Sequence, residues 1–460
     1  MPSGSSLTRV SKPNPNMPPD SPPPSSIDLA QLRGQKLLLV TDVPFWRQSN
    51  GSHLRILRLV DGLNQAGLEV VIWLVGPAKS HERSLSHQLV APARVLFCET
   101  CMDRVAATFS RWSRTRARVA PSTPTSGESA SRPPADPIPT FLPAAIRKRF
   151  RDVLARVQPR FLLLEYLSLA SLLDELPSPD ASGPLPRPKT ILDAHDVLSA
   201  RHRLAAEQGT ASWLAISEDD ELRWIDRFDI VWAIQRQDAD FFRRAARPHV
   251  VVVGHSTLGQ PLPPPTTHQE KCVFGIVGGQ SPINHRALAW LLDEVWPAVH
   301  LKCPTAEFWI GGSIATAETR AALEGTRASE DLAGVIWYGP FDQPEDFYGA
   351  IDVGINPVDL VSGLKIKSIE TLGFGRPLVT RSAGAVGLED FASIAVSIAD
   401  QAAAFQRTLI ALAQSPQFRK EATNAAAHVA KTWLAPERVY QAAWESIQTA
   451  LGQSDTTDFK

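Results

Sequence analysis

The sequence predicts an α/β protein of two doubly wound domains that face each other across a cleft. Short apolar runs alternate with helical patterns along most of its 460 residues, as expected for parallel strands joined by crossover helices. A proline-rich segment at 259–270 interrupts this alternation, and it suits a stiff connector because Pro fits neither a helix interior nor a sheet. The chain length and the 43% of hydrophobic residues are sufficient for two separate cores.

The overall composition excludes several classes of protein. The 47 basic and 48 acidic side chains leave a net charge of -1, so no global positive field favours nucleic-acid binding. No apolar run approaches the roughly 20 residues that span a bilayer, and the N-terminus lacks a secretory signal pattern. Four cysteines cannot form a disulfide framework in a chain of this size. We therefore expect a cytoplasmic protein.

The first domain is expected over 34–258. A Pro- and Ser-rich tail at 1–33 has too little apolar surface to offset chain entropy and is predicted to be disordered. Order begins at Lys36 with a buried strand ending at Thr41, followed by a loop from Asp42 to Ser52. An amphipathic helix then runs to Gly67, and a second strand covers 68–75. Further strands are expected at Arg94–Phe97, Phe161–Leu164, Thr190–Leu192, Asp229–Ile234 and Val250–Val253.

The second domain is expected over 271–430. Helical patterns separate its strands, among them Ala287–Val295 and Ser368–Phe374. An amphipathic helix at 431–450 and a flexible tail at 451–460 follow. The strands of this domain are expected at Cys272–Val277, Ala306–Ile310, Val335–Tyr338, Val353–Ile355, Pro377–Thr380 and Ile394–Ile398.

An insertion at about 119–140 interrupts the first domain. It is rich in Pro, Ser and Thr and is predicted to be a mobile loop. The surrounding residues, 102–151, carry ten basic side chains against three acidic ones. Peripheral contact with the anionic inner membrane face or with an anionic acceptor is one interpretation, and a solvated helix face is the simpler one.

The strongest chemical signal lies where a loop enters a helix in the second domain. Lys367 and Glu370 are three residues apart and share one helix face, so an ammonium and a carboxylate project together. A helix start beside Lys365 and Lys367 can hold a diphosphate, while Glu370 can accept hydrogen bonds from ribose hydroxyls. On these residues alone, two surface lysines and an exposed glutamate are the simpler interpretation. The segment reads Ser362-Gly363-Leu364-Lys365-Ile366-Lys367-Ser368-Ile369-Glu370.

This segment and its surroundings resemble the donor-site signature of GT-B glycosyltransferases, specifically glycosyltransferase family 4. The resemblance is specific over about 270–390 and looser over 36–255. It implies two Rossmann-like domains, of which the first binds the acceptor and the second binds the nucleotide sugar, with the terminal helix crossing back to the first. The matching stretches are Gly363–Val379, Gly384–Leu388, Cys272–Gly279, Ser281–Asn284, Leu291–Pro297, Glu307–Gly312 and Tyr338–Pro340.

The resemblance also implies a retaining transfer that needs no metal ion and no cofactor beyond the nucleotide sugar. Lys365 and Lys367 would stabilise the departing diphosphate. The other donor-binding positions it implies are Gly51, Gly278, Gly279, Gln280, Asn284, Ser362, Gly363, Leu364 and Glu370.

Two positions depart from the family pattern. Many members have a glutamate eight residues before the one that matches Glu370, and this chain has Ser362 there. The arginine and lysine often found after the first donor-domain strand are replaced by the turn that contains Gly278, Gly279 and Asn284. We expect the N–H groups of Gly278 and Gly279 to replace part of that charge.

His195 is the candidate catalytic residue of the first domain. It ends a strand in Leu192-Asp193-Ala194-His195-Asp196, where a histidine can bond to a sugar hydroxyl or support charge at the anomeric carbon. Without the family resemblance, a structural role for His195 is the simpler interpretation. The resemblance favours a functional role instead. Asp193 and Asp196 are expected to orient its ring rather than to bind a metal, and Arg201 to point toward the same cleft.

Two other functions stay open at this stage. A nucleotide-sugar epimerase would share the architecture, although no acid/base pair around a sugar ring is identifiable. A non-catalytic scaffold is compatible with Ser362. Gly275-Ile276-Val277-Gly278-Gly279 is not the glycine pattern of a nicotinamide-binding enzyme, and Cys98 with Cys101 lacks the second cysteine pair of a zinc site.

Overall fold

The computed structural model describes residues 27–48, 51–76, 78–98, 136–178, 186–207, 212–265, 271–360, 363–392 and 395–455. These residues form two compact units. The N-terminal unit draws on Ser26–Gly259, Val361–Ile366 and Trp433–Lys460, and the C-terminal unit on Gln260–Leu360 and Lys367–Thr432. Several predictions fall outside the described residues: the tail up to residue 26, the insertion and basic region up to residue 135, Cys101 and Ser362.

The N-terminal unit contains a seven-stranded, all-parallel sheet. Its strand order is β3-β2-β1-β4-β5-β6-β7. Strands β1 to β3 are added toward one edge of the sheet and strands β4 to β7 toward the other, so the order switches between the adjacent, parallel strands β1 and β4, as in a doubly wound fold. The apolar strands β1 and β4 are buried on both faces, as the sequence predicts. The strands are β1 Lys36–Thr41, β2 Glu69–Leu74, β3 Arg94–Phe97, β4 Phe161–Glu165, β5 Lys189–Ala194, β6 Ile230–Ala233 and β7 His249–Val252.

Helices cover both faces of this sheet, because successive side chains of each strand point to opposite sides. Leu37 and Leu39 belong to one hydrophobic core, and Leu38 and Val40 to the other. A 3-10 segment, Leu167–Glu175, follows β4. The helices are α1 Gly51–Gln65, α2 Ser80–Leu89, α3 Ile138–Phe141, α4 Ala144–Val157, α5 Leu198–Glu207, α6 Glu218–Ile225 and α7 Arg236–Phe242.

The end of the chain packs into the N-terminal unit. The last two helices of the chain lie in Pro436–Val439 and Gln441–Asp455. Tyr440 and Trp444 are buried in the same core as α1. The indole N–H of Trp444 donates to the Gly62 carbonyl over 3.2 Å, and Gly62 leaves room for the Tyr440 ring. A helix distant in sequence therefore completes this core.

The C-terminal unit contains a six-stranded, all-parallel sheet in the order β10-β9-β8-β11-β12-β13. Its strands are β8 Val273–Val277, β9 Glu307–Gly311, β10 Val335–Gly339, β11 Val353–Asn356, β12 Leu378–Thr380 and β13 Val396–Ile398. Its helices are α8 Pro282–Trp290, α9 Trp296–Lys302, α10 Ala317–Glu324, α11 Pro344–Tyr348, α12 Ile366–Gly373, α13 Ala402–Gln414 and α14 Pro416–Thr432, and the terminal pair described above are α15 and α16.

Two helix boundaries differ from the sequence prediction. The helix expected to end at Val295 continues, because a π-helical turn at Leu291–Val295 joins α8 to α9. Pro297 has no N–H, and the wider turn accommodates the missing bond. The loop expected to reach Ser52 ends earlier, since α1 already begins at Gly51.

Three segments predicted to be disordered or mobile contain packed residues instead. Asp28 accepts a hydrogen bond from the N–H of Ala30 and Leu32 is fully buried, so the described start of the tail belongs to the core. Ile138, in the last part of the predicted insertion, is also fully buried. The terminal helix continues past 450, and Leu451 is buried. In each case one apolar side chain has a tertiary partner that local composition does not reveal.

Three arginines in the described part of the basic region are paired with acidic residues. Arg147 and Arg151 both lie within 4.0 Å of Glu175, and Arg149 lies 3.6 Å from Asp152. These pairs favour a solvated, charge-balanced helix face over an anion-binding patch for the residues from 136 to 151.

Candidate functional site

The lysine-rich segment enters α12 as the sequence predicts. Gly363 has φ +55°, in the left-handed region that favours glycine, and the helix begins three residues later at Ile366. Lys367, in the first turn, donates from Nζ to Oδ1 of Asn284 over 2.8 Å. A cation thus lies beside a helix start, which is an arrangement suited to an anionic ligand.

Asn284 is held by the turn that follows β8. Ser281 caps α8 by accepting a hydrogen bond from the Asn284 N–H, and Pro282 occupies the first helical position. The Asn284 amide donates to the Gly279 carbonyl over 2.9 Å, which leaves its oxygen directed at Lys367. The C-terminal unit therefore brings together two predicted donor residues that are far apart in sequence.

The role expected for the Gly278 backbone is wrong. Its N–H donates to the Gly311 carbonyl over 3.1 Å, so this donor is already used within the sheet edge. A Cβ at this position would lie 3.2 Å from Ile314, so any side chain here requires Ile314 to shift by a few tenths of an ångström. Gly279 stays as the backbone candidate of this turn.

Gln280 is bonded to the segment after β9. Its amide donates to the Ser313 carbonyl over 2.8 Å and lies 3.2 Å from the Thr319 hydroxyl, while its oxygen faces His285. An open pocket of about 440 Å³ is lined by Gln280, His285, Thr316, Glu318, Thr319, Ala322 and Leu323. The bonds of Gln280 shape the wall of this pocket.

Glu370 is not an exposed surface residue. It is only 2% exposed, whereas Lys367 on the same face of α12 is partly exposed. Its charge adds to burial in raising the pKa of Tyr348. Helix α12 is anchored by Ser368, whose hydroxyl donates to the Gly384 carbonyl and accepts from Asn356. Burying a carboxylate is costly unless it has polar partners, so Glu370 is not a surface residue that merely keeps the protein in solution.

The residues just before Lys367 belong to the N-terminal unit. A side chain at Gly51 would lie 2.9 Å from Ile366, and one at Gly363 would lie 3.5 Å from the His195 carbonyl. Lys365 donates to the Gly363 carbonyl over 3.1 Å. Burial and the nearby Arg201 lower the pKa of Lys365 to about 8. Leu364 lies half-buried in the same stretch. Gly51, His195, Gly363 and Lys365 therefore share one edge of the first sheet.

A buried charge network surrounds His195. Its Nε2 lies 2.7 Å from Glu165 and 3.3 Å from Asp193. Glu165 and Asp193 are register partners on the neighbouring strands β4 and β5. Arg55 of α1 donates to both oxygens of Asp193 and to the carbonyls of Val253 and Gly254. Two adjacent carboxylates repel each other, and the guanidinium and the imidazole offset that repulsion.

The pKa values of this network follow from burial and charge. Burial opposes the charged form of His195, but its bonds to Asp193 and Glu165 outweigh that effect and raise its pKa to about 9. Burial and the charge of Asp193 raise the pKa of Glu165 to about 7. Burial would raise the pKa of Asp193, yet Arg55 and His195 hold it well below its usual range.

Tyr166 fixes the imidazole plane from one side. Its ring stacks on His195 with centroids 4.0 Å apart and an interplanar angle of 25°. Its backbone adopts φ 73° and ψ 143°, which for a non-glycine residue costs on the order of 1–3 kcal/mol. The Tyr166 N–H donates to the Asp193 carbonyl, and its hydroxyl bonds to Ser52. Strain retained beside a candidate catalytic residue is typical of functional sites.

Sequence reasoning missed Glu165, Arg55 and Tyr166, and assigned Asp196 wrongly. Asp196 pairs with Arg201 over 2.7 Å instead of orienting the His195 ring. Two signals in the sequence were available: Glu165 ends an apolar strand, and Arg55 interrupts the apolar stripe of α1. Neither signal identifies its partner, because Arg55 lies 138 residues from Asp193 and Glu165 lies 30 residues from His195.

Glu165, Asp193 and His195 also have the residue types of a metal site, with ligand atoms within 4.8 Å of one another. The guanidinium of Arg55 already bonds both oxygens of Asp193. A buried cation in this position competes with a metal ion for the same carboxylate, so the donor set fits an ion-pair network better than a metal centre.

No helix in the described part of the chain is both long and apolar enough to cross a bilayer. Two all-parallel doubly wound units define the chain as a GT-B fold protein, with a lysine-flanked helix start in the second unit. Residues 271–415 match the model of the family described as Glycosyl transferases group 1. This match spans about a third of the chain and lies mostly in the C-terminal unit, and the two sheets have the topology of a GT-B fold.

Solved structures show the same two-domain fold. Anabaena HepE in complex with UDP and glucose has 13% identity, covers 90% of this chain and 100% of its own, and gives a TM-score of 0.59. Sucrose-phosphate synthase from Thermosynechococcus elongatus has 13% identity, coverages of 93% and 100%, and a TM-score of 0.61. A mutant of S. aureus TarM in complex with Fondaparinux, alpha-GlcNAc-glycerol and UDP has 10% identity, coverages of 90% and 99%, and a TM-score of 0.61.

No curated protein sequence is similar enough to this chain to be matched. The resemblance to GT-B glycosyltransferases is confirmed, and the narrower assignment to family 4 stays a prediction.

Proposed function

We propose that the protein transfers a sugar from a nucleotide-diphosphate sugar to a hydroxyl of an acceptor, with retention of configuration and without a metal ion. The observation that carries this proposal is the contact between Lys367 and Asn284 beside the first turn of α12, inside the segment that matches the group 1 model. The HepE complexes with UDP and with UDP-glucose support a nucleoside diphosphate as the ligand class.

The departing diphosphate gains negative charge as the bond from the anomeric carbon to the phosphate oxygen breaks. Lys367 and the N–H groups at the start of α12 supply positive charge for that oxygen, and Lys365 adds a second ammonium. Asn284, Gly279 and Gln280 line the phosphate side, and the buried Glu370 accepts hydrogen bonds from the ribose hydroxyls.

Retention is accommodated when the departing phosphate itself takes the proton of the acceptor hydroxyl as the new glycosidic bond forms. No dedicated base is then required, and His195 supports the sugar by a hydrogen bond. The acceptor, whether a glycan, a lipid-linked sugar or a small molecule, is bound by the N-terminal domain. The cationic side chains take the charge-neutralising role that a metal ion has in other transferases.

Saturation-transfer NMR against a panel of nucleotide sugars tests the proposal. We expect transfer to the base, the ribose and the sugar of one donor, with the signal strongly reduced in Lys367→Ala and retained in Lys420→Ala, a lysine on α14. The anomeric coupling constant of the product should match that of the donor. Failure of a folded protein to bind any nucleotide sugar would favour a scaffold, and release of an epimerised nucleotide sugar without acceptor would favour an epimerase.

A further inference from the structure

The N-terminal unit contains a group of buried charges that the transfer mechanism above does not use. Glu165 and Asp193 contribute two negative charges, and Arg55 contributes one positive charge. When both carboxyls are ionised the sum is one negative charge in a fully buried position, which is unfavourable unless a further cation is present or a carboxyl takes up a proton. The His195 ring is the group that contacts both carboxylates.

Charged groups on the other elements that pack here do not change this sum. Arg201 and Asp196 form an ion pair of their own over 2.7 Å. Lys365 interacts electrostatically with Arg201, Asp196 and Asp238. The Tyr166 hydroxyl bonds to Ser52 and is neutral. The imidazole is therefore the cation available to balance Glu165 and Asp193 when both carboxyls are ionised.

The two nitrogens of the ring have different surroundings. Both carboxylates approach Nε2, whereas Nδ1 bonds to no described residue. A neutral ring that donates from Nε2 to Glu165 would present a lone pair at Nδ1, and a protonated ring presents an N–H there. The protonation state thus decides whether a ligand meets a hydrogen-bond acceptor or a donor.

We propose that Glu165 is a positioning residue that, together with Asp193, keeps His195 as an imidazolium whose Nδ1–H donates to an oxygen of the ligand. His195 is then a fixed cationic donor and not a general base. Tyr166 stacks on the ring and holds its plane, so the donor direction is set before a ligand arrives. This inference rests on the proposed function only in identifying that oxygen as one on the transferred sugar.

The ring state can be measured without any substrate. In protein labelled with ¹⁵N at histidine, we expect both His195 nitrogens to show imidazolium shifts at pH 8, which lies between the values at which Glu165 and His195 titrate. Assignment is made with His195→Gln. A neutral His195 in the wild-type protein at this pH would overturn the proposal.

Glu165→Gln provides the test of positioning. Removing one carboxylate should lower the His195 titration midpoint by at least about one pH unit, because an opposite charge at this distance shifts a pKa by roughly one to three units. Glu175→Gln, at the end of the 3-10 segment in the same unit, should leave it unchanged. An unchanged midpoint in a folded Glu165→Gln protein would contradict the assignment.

Kinetics separate this inference from the proposed function. Glu165→Gln should reduce kcat at least fivefold while the dissociation constant for UDP stays within twofold. Imidazolium shifts in a protein that transfers no sugar would refute the transferase function and support the ring state. An active enzyme with a neutral His195 at pH 8 would support the transferase function and refute the proposed ring state.

Discussion

The ammonium of Lys367 lies 2.8 Å from Oδ1 of Asn284, although 83 residues separate them in the chain. Asn284 is fixed by its bond to Gly279, so the pair joins the turn after β8 to the start of α12. This contact positions a cation at the carboxyl edge of a parallel sheet, where ligands of such folds bind.

Replacing Lys367 by alanine should lower turnover at least about tenfold, which corresponds to about 1.4 kcal/mol in the activation barrier. The reason is the loss of positive charge opposite the departing diphosphate. Steady-state kinetics with the donor identified by NMR measure the effect, and Lys420→Ala is the matched control. Equal kinetics of the Lys367→Ala and wild-type enzymes would remove the leaving-group role.

Asn284→Asp tests the partner of the same contact. A carboxylate in place of the amide would form an ion pair with Lys367 and bring a negative charge toward the phosphate, so we expect UDP to bind at least about tenfold more weakly. Isothermal titration calorimetry measures the affinity. His285→Ala, one residue along α8, should have a smaller effect, and equal affinities of the Asn284→Asp and wild-type proteins would place the phosphate elsewhere.

The pH dependence of catalysis should report Lys365. Its pKa is lowered to about 8, so its charge is present below this pH and is lost as the pH rises. We expect kcat/KM for the donor to fall above about pH 8 in the wild-type enzyme. Lys365→Arg keeps its charge, and the falling limb should move toward pH 9, where His195 loses its proton. If kcat/KM falls at the same pH in the wild-type and Lys365→Arg enzymes, Lys365 is not required in its charged form.

Arg376 should stabilise the C-terminal unit. This fully buried guanidinium donates to the carbonyls of Tyr348, Leu262 and Pro263. Arg376→Met removes the donor of all three carbonyls and leaves that of the buried Tyr348 unsatisfied, so we expect a loss of about 2 kcal/mol in the free energy of unfolding. Urea denaturation measures it. Arg320→Met, at an exposed pair with Glu324, should cost well under about 1 kcal/mol.

Gly62 should be required for the terminal helix to pack. A side chain there would lie 2.1 Å from the Tyr440 ring, so Gly62→Ala should destabilise by at least about 2 kcal/mol even though alanine favours helix by about 1 kcal/mol. Gly452→Ala, where nothing lies within 4 Å, is the matched control and should be neutral or stabilising. Thermal unfolding compares the two variants, and similar melting temperatures would contradict this packing.

Much of the architecture could be predicted because it depends on local patterns. Runs such as Leu37–Val40 are apolar on both faces, and only a strand covered by helices on both sides accommodates them. The glycine at 363 and the spacing of Lys367 from Glu370 likewise act within one loop and one helix turn. These features depend only on residues that are neighbours in the chain, so they can be predicted from a single sequence.

The exact ends of segments could not be predicted in the same way. Leu32 and Ile138 lie in stretches that read as loops, and each is ordered by a core supplied from elsewhere in the chain. Burial of one such side chain contributes about 1.5–3 kcal/mol, which local composition does not register.

The sequence by itself determined two parallel α/β domains, a proline-rich connector and a lysine-bearing helix start, because periodicity and turn chemistry act over a few residues. Only the tertiary structure decided that Asn284 meets Lys367, that Glu370 is buried, and that Glu165 and Arg55 share the charge of Asp193 with His195. Those contacts arise from strand order and register, which bring distant residues to one sheet edge and are not encoded in any single segment.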